Sequence, residues 1–142
     1  MPYRIFITLA FLALSGIFHN IQAQSDELPV SSTIILQTTT AWDGSPIFYP
    51  EGDAEVTVLI IEIAAGESTG WHQHPVPSFA YILEGELEVT LESGQSKIFT
   101  GGSAISEVTN SIHSGKNIGS TTLKLVVFYT GAIGKRLTIL EE

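Results

Sequence analysis

The chain has 142 residues, with 15 acidic and 6 basic side chains and a formal net charge of −9. This length suits one domain with a single core, and the acidic surface excludes nucleic-acid binding, which requires clustered lysine and arginine. The chain contains no cysteine, which excludes disulfides, thiolate metal sites and a cysteine nucleophile. Stability must therefore come from the apolar core and from any bound metal.

The first 23 residues have the order of a secretory signal peptide. Residues 1–4 are short and positive, residues 5–18 are mostly apolar, and residues 19–23 turn polar and end on a small side chain. A transmembrane anchor is the alternative, but a span needs about 20 apolar residues and this run is shorter. We therefore expect cleavage near Gln24, a periplasmic or secreted protein, and no stable membrane anchor after cleavage.

Residues 24–53 are predicted to form an N-terminal arm with edge strands. Residues 34–36, Ile-Ile-Leu, are a strand candidate, and residues 42–46 form a turn-rich loop that begins with Trp42. A tryptophan in such a loop is more typical of a packing residue than of a site residue. The arm is expected either to close the sheet structure or to pair with another subunit.

The remainder of the chain, residues 54–142, has the pattern of an all-β domain. Residues 56–63 form a long apolar run with both faces occupied, which is typical of a strand covered on two sides. Residues 87–91 alternate between apolar and polar, and residues 123–129 are rich in β-branched and aromatic side chains. Because glycine-containing turns separate these runs at short spacing, they predict an antiparallel sandwich or barrel.

Three histidines follow the predicted signal peptide and its cleavage site: His72, His74 and His113. The first two are two residues apart, so a strand would place both side chains on the same face. Neutral imidazoles in that relation can share one ion such as Fe, Zn, Cu or Ni. A His-x-His pair alone is a weak signal, because histidines also occur in strands as hydrogen-bonded residues without a metal.

Two segments of the chain share a regular spacing of glycine and histidine. Residues 66–85 read G-x5-H-x-H-x3-S-x6-G, and residues 102–117 read G-x5-V-x-N-x2-H-x3-N. These spacings resemble the two conserved motifs of the cupin superfamily, in particular its small single-domain, quercetin dioxygenase-like members. The resemblance covers about residues 55–131 and implies an antiparallel jelly-roll β-barrel of six to eight strands.

The resemblance also implies a metal site inside the barrel. In cupins, two histidines and a glutamate of the first motif and the histidine of the second motif bind a divalent metal. His72, His74 and His113 match the histidine ligands, whereas Ser78 stands at the glutamate position. The implied cofactor is a divalent transition metal, iron first, with Mn, Ni, Cu or Zn as alternatives. Without the carboxylate, three neutral imidazoles leave the charge of the ion uncompensated, which strengthens its Lewis acidity.

Three acidic residues are candidates to replace the missing carboxylate. Glu107 is the best candidate, as a base near the metal or as a substrate contact, because it immediately precedes Val108 of the second motif. Glu84 falls in a turn and Glu62 in an otherwise apolar strand, where a lone acid is more often at a rim than on a metal.

Three aromatic residues are candidates for lining a ligand cavity: Tyr81, Phe79 and Phe128. Tyr81 is, with Glu107, one of two candidate catalytic residues. Plain core packing is an equally good interpretation of each aromatic side chain.

The leading functional hypothesis is an exported, metal-binding cupin that acts as a non-haem dioxygenase on a small oxygenated or aromatic molecule. The alternatives are a non-catalytic module that binds or senses a small molecule or a metal, and a structural protein with a vestigial site. A small molecule is therefore the expected partner. The resemblance further implies a homodimer.

Overall fold

The computed structural model describes residues 30–141. The predicted signal peptide, residues 1–23, lies outside the described residues, as do residues 24–29 of the predicted arm. Within residues 30–141, no helix has the length and apolar character required to cross a lipid bilayer.

The described chain contains nine β-strands, and all named pairings between them are antiparallel. A four-stranded sheet has the order β1-β8-β3-β6, and a five-stranded sheet has the order β5-β4-β7-β2-β9. The predicted all-β fold is therefore confirmed. The strands are β1 (Ala54–Ile63), β2 (His72–Gln73), β3 (Ser78–Glu84), β4 (Glu86–Leu91), β5 (Ser96–Thr100), β6 (Ala104–Ser106), β7 (His113–Asn117), β8 (Leu123–Ala132) and β9 (Ile139–Leu140).

The core lies between the two sheets and follows from strand alternation. In β8, the odd-numbered residues from Leu123 to Tyr129 are buried, and the residues between them are more exposed. In β4, the buried residues are Leu87, Val89 and Leu91. Each fully buried aliphatic side chain of this kind stabilises the fold by about 1.5–3 kcal/mol.

Gly85 forms the whole connection between β3 and β4, which belong to different sheets. Its φ angle is 94°, and a Cβ atom at this position would lie 2.8 Å from Cα of Leu123. Because only glycine tolerates both the dihedral angle and the close approach, this residue allows the chain to turn from one side of the core to the other.

The strand β1 differs from the expectation of a strand covered on two sides. It lies at the edge of the four-stranded sheet, and among the described residues it pairs only with β8. Val56 and Ile60 on its outer face are 61% and 66% exposed, and only Ile63 at its end is buried. The prediction failed because a long apolar run indicates β-propensity, whereas the number of layers that cover a strand depends on its place in the sheet.

Residues 33–53 contain no strand, and their pairing is limited to an isolated bridge between Thr40 and Pro46. The strand candidate at residues 34–36 is wrong: Ile34 is 77% exposed and the segment has no ladder partner. Trp42 packs edge-on against Phe99, with ring centroids 6.3 Å apart. The prediction that Trp42 is a packing residue is confirmed.

Candidate metal centre

Adjacent strands of the five-stranded sheet bring the three histidines together. His72 in β2 lies directly opposite His113 in β7, and His74 follows immediately after β2. All three side chains are buried, and one candidate ligand atom from each lies within 4.8 Å of the others. Sequence spacing alone placed His72 and His74 together, whereas the β2–β7 pairing adds His113 from a distant part of the chain.

All three imidazole rings are held in the same tautomer. Because a carbonyl oxygen can only accept a hydrogen bond, a ring nitrogen beside one must carry the proton and donate it. The Nε2 atom of each ring is then left with a free lone pair. Hydrogen bonds of this kind typically orient metal-binding histidines. The Nδ1 atoms donate as follows: His72 to the Gly70 carbonyl at 2.9 Å, His74 to the Leu137 carbonyl at 2.9 Å, and His113 to the Ser111 carbonyl at 2.8 Å.

Burial also keeps His74 and His113 in the neutral form that binds metals. The pKa of His74 is lowered to about 4, mainly by burial and also by the neighbouring imidazoles of His113 and His72, against a raising effect of the hydrogen bond to the Leu137 carbonyl. Burial likewise lowers the pKa of His113. These two imidazoles are therefore neutral at pH 7, as a metal ligand must be. Three buried histidines with free Nε2 atoms could hold a divalent metal ion.

Glu107 is the one acidic side chain that lines the histidine cavity within the described chain. Its Oε2 atom lies 3.8 Å from Nε2 of His113 and has no hydrogen-bond partner among the described residues. Since the pKa of His113 is lowered, this contact joins a carboxyl group to a neutral ring and is not an ion pair. Burial raises the pKa of Glu107 to about 7. The structure thus brings the sequence candidate Glu107 to the histidines.

Tyr81, the other candidate catalytic residue, is not among the residues that line the cavity. In β3 the buried residues are Ser78, Ala80 and Ile82, so Tyr81 faces away from the core. Phe79 has the same outward orientation and lies opposite Phe128 on the outer side of the sheet. The predicted cavity-lining role of these three aromatic residues is therefore wrong, because strand alternation points them outward.

The other two acidic candidates also lie away from the cavity. Glu62 is exposed on β1 and forms an ion pair with Lys124 at 2.6 Å. Glu84 is exposed at the end of β3. Neither residue lines the histidine cavity, so neither replaces the missing carboxylate.

Tyr129 is the cavity-lining aromatic residue that the sequence analysis missed. Its ring is edge-on to that of His74, with centroids 5.3 Å apart, and burial raises the pKa of its hydroxyl group. The signal was present in the alternation of residues 123–129: once Leu123, Leu125 and Val127 are assigned to the core, Tyr129 faces the same way.

The cavity is small and mostly apolar. Its volume is about 60 Å³, which leaves room for a few water molecules or for a ligand of few atoms. The polar groups that face it are the histidines, Glu107, Thr69 and Tyr129. The apolar wall comes from both sheets and comprises Ile61, Ile63, Leu87, Val89, Leu125 and Val127.

Comparisons with known proteins agree with this architecture. A family model described as "Cupin domain" matches residues 59–129, a segment that contains all three histidines and Glu107. Oxalate decarboxylase from Lactobacillus farciminis is 22% identical with a TM-score of 0.53, over 60% of this chain and 26% of that chain. DMSP lyase DddQ from Ruegeria pomeroyi is 21% identical with a TM-score of 0.52, over 68% of this chain and 46% of that chain.

A third similar structure is that of BH2720 from Bacillus halodurans. It is 26% identical with a TM-score of 0.51, over 63% of this chain and 72% of that chain. Among curated proteins, none matches this sequence. The chain spans about a quarter of the length of the oxalate decarboxylase and less than half of that of the DMSP lyase, so these two likenesses concern the fold. The family match covers half of the chain and includes both histidine segments, and the chain therefore belongs to the cupin family.

Proposed function

We propose that this protein is a metal-dependent enzyme that acts on a small oxygenated organic molecule, with dioxygenase chemistry as the expected reaction. The observation that carries the proposal is the set of three buried histidines, whose candidate ligand atoms lie within 4.8 Å of one another. Imidazole donors suit Fe, Zn, Cu and Ni. Iron is the proposed ion, with Mn, Ni, Cu or Zn as alternatives.

The residues around the cavity support a catalytic rather than a purely structural site. His72, His74 and His113 would hold a divalent ion there, which would act as a Lewis acid toward substrate and dioxygen. The backbone carbonyls of Gly70, Leu137 and Ser111 fix the orientation of the imidazole rings. The apolar wall limits the access of bulk water to the cavity, and the buried Tyr129 is near enough to His74 to contact a ligand beside it.

The size of the cavity points to the substrate class. A volume of about 60 Å³ accommodates a small acid, diketone or similar molecule more readily than a multi-ring compound such as a flavonol. Two proteins that share this fold are, by name, an oxalate decarboxylase and a DMSP lyase, and both names specify small substrates. A small, oxygen-rich substrate is therefore the first class to test.

The test combines metal analysis with oxygen consumption. Protein purified without chelator should contain near-stoichiometric transition metal and should consume dioxygen with at least one member of a panel of small acids, diketones and catechols. The His72→Ala variant should fold normally and lose both properties. Absence of bound metal from correctly folded wild-type protein would overturn the proposal. Tight ligand binding without oxygen consumption would favour the alternative, a non-catalytic binding or sensing module.

Export and cleavage of residues 1–23 are also proposed. Their support is the order of charged, apolar and small residues in that segment. Expression of the full chain in a bacterial host should yield a periplasmic or secreted protein whose mass matches cleavage near Gln24. A protein that stays in the cytoplasm at full mass would contradict this assignment.

Homodimer formation is the remaining proposal. Its support is the strand β1, which lies at a sheet edge and exposes Val56, Val58 and Ile60. Exposed edge strands readily pair with a second chain, and pairing of two β1 strands would cover these residues. Sedimentation analysis should give twice the chain mass for the wild type and a monomer for Val58→Lys. A monomeric wild type at high concentration would contradict the proposal.

A further inference from the structure

The position that carries the metal-binding glutamate in other cupins is occupied by Ser78 in this chain. Ser78 faces the core and is 1% exposed, and its Oγ atom has no hydrogen-bond partner among the described residues. The register of β3 against β6 pairs Phe79 with Ser106, which places Ser78 beside Glu107. The Glu107 backbone N–H indeed donates to the Ser78 carbonyl at 2.9 Å.

The carboxylate of Glu107, which directly follows β6, thus lies in the cavity next to Ser78, the first-motif position that has no carboxylate. Glu107 lines the same cavity as the three histidines, and its Oε2 atom lies 3.8 Å from Nε2 of His113. Two ligands of one ion, each about 2.0–2.2 Å from it, lie about 3–3.5 Å apart. The observed 3.8 Å is therefore within about 1 Å of the separation expected between two ligands of one ion.

The surroundings of Glu107 supply no other partner for its charge. Its Oε2 atom is buried without a hydrogen bond from the described residues, and no Lys or Arg lines the cavity. A buried, unpaired carboxylate is costly, and buried charges in proteins are usually paired or coordinate metals. A divalent cation on the facing histidines would satisfy this group.

We propose that Glu107 is the fourth protein ligand of the metal, a carboxylate supplied by the second motif instead of the first. This inference rests on the proposed metal binding at the histidines. It changes the expected charge of the centre: three imidazoles and one carboxylate reduce the net charge of a divalent ion from +2 to +1. The site is then a centre of three histidines and one glutamate, in which Glu107 provides the carboxylate and the neutral Ser78 stands at the glutamate position of the first motif.

The experiment uses the purified full chain, stripped of metal and loaded with Co²⁺, whose visible spectrum reports on its ligands. We expect Glu107→Gln to weaken Co²⁺ affinity by more than the roughly 10- to 100-fold that loss of a hydrogen-bonding partner of a ligand costs, and to change the Co²⁺ absorption bands, with an unchanged circular dichroism spectrum. The matched control is Glu84→Gln, the same chemical change at an exposed residue of β3, which should leave affinity and spectrum as in the wild type.

A reciprocal exchange separates ligation from a merely structural role. The double variant Ser78→Glu with Glu107→Ser returns the carboxylate to the first motif and should recover most of the lost affinity and the wild-type bands, whereas Glu107→Ser alone should not. If wild type and Glu107→Gln bind Co²⁺ with equal affinity and identical spectra, Glu107 is not a ligand and the proposed metal site survives without it. If the wild type binds no metal, both proposals fail.

Discussion

The two sheets contribute different kinds of group to the cavity between them. The five-stranded sheet provides His72 and His113, and His74 follows β2 directly. The Nδ1 atom of each ring donates a hydrogen bond to a backbone carbonyl. The segment after β6 of the four-stranded sheet provides Glu107, whose Oε2 atom has no such partner. The difference shows that hydrogen bonds within the protein orient the histidine side of the cavity, whereas the acidic side has no hydrogen-bond partner among the described residues.

Removal of the metal should have the largest effect on this arrangement, because the proposed ion would join the two sides of the cavity. At free metal about 1,000 times above its dissociation constant, binding to the native state adds about 4 kcal/mol to the free energy of unfolding. Denaturant unfolding with and without a chelator measures this difference through the midpoint. Equal unfolding midpoints for protein shown to be metal-loaded and for metal-free protein would contradict a stabilising role of the metal.

Loss of one of the three histidines should have the second-largest effect. His113→Ala removes a proposed ligand that lies beside both His72 and Glu107, and we expect the affinity for the metal to fall by about 100-fold or more, corresponding to roughly 3 kcal/mol. The matched control is Gln73→Ala, which changes a residue of β2 whose side chain bonds Glu141 outside the cavity. Competition with a chromophoric chelator gives both affinities. An equal loss in the two variants would indicate general damage to β2 and β7.

The acidic side can be tested in metal-free protein through its pH dependence. Because the pKa of Glu107 is raised from 4.5 to about 7 by burial, the native state binds more protons than the unfolded state between these values. Stability therefore falls as the pH rises from about 4.5 to about 7. Glu107→Gln removes this loss, so the metal-free variant should exceed the wild type by about 2–3 kcal/mol at pH 8 and by little at pH 4.5.

His74, whose pKa is lowered to about 4 chiefly by burial, is present in both the variant and the wild type. Its titration therefore cancels in the stability difference between the two proteins. Chemical denaturation at several pH values provides the measurement. A stability difference that does not change with pH would mean that Glu107 is not buried as described.

The smallest expected effect distinguishes the inner and outer faces of the four-stranded sheet. Burial raises the pKa of Tyr129, so spectrophotometric titration of the tyrosines should show a late ionisation step. Tyr129→Phe should abolish that step, whereas Tyr81→Phe should retain it. Each change should cost about 1 kcal/mol or less in stability. Loss of the late step in Tyr81→Phe would contradict the assigned orientation of β3.

The sequence allowed part of the site to be predicted, because that part depends on local geometry. The spacing of His72 and His74 and the two-residue period of a strand indicate that both face one way. Alternation in residues 123–129 indicated a strand, although the choice of its inner face required knowledge of its neighbours. The prediction therefore placed Phe128 in the cavity, whereas the residue of this strand end that lines it is Tyr129.

The all-β class, the absence of thiol chemistry and the histidine spacing typical of a cupin follow from the amino-acid sequence alone, since composition and short-range periodicity are properties of the chain. That β1 is an exposed edge strand and that Glu107 lies beside Ser78 became apparent from the folded structure. Both features depend on strand order and register between residues far apart in sequence, and a local pattern carries no information about either.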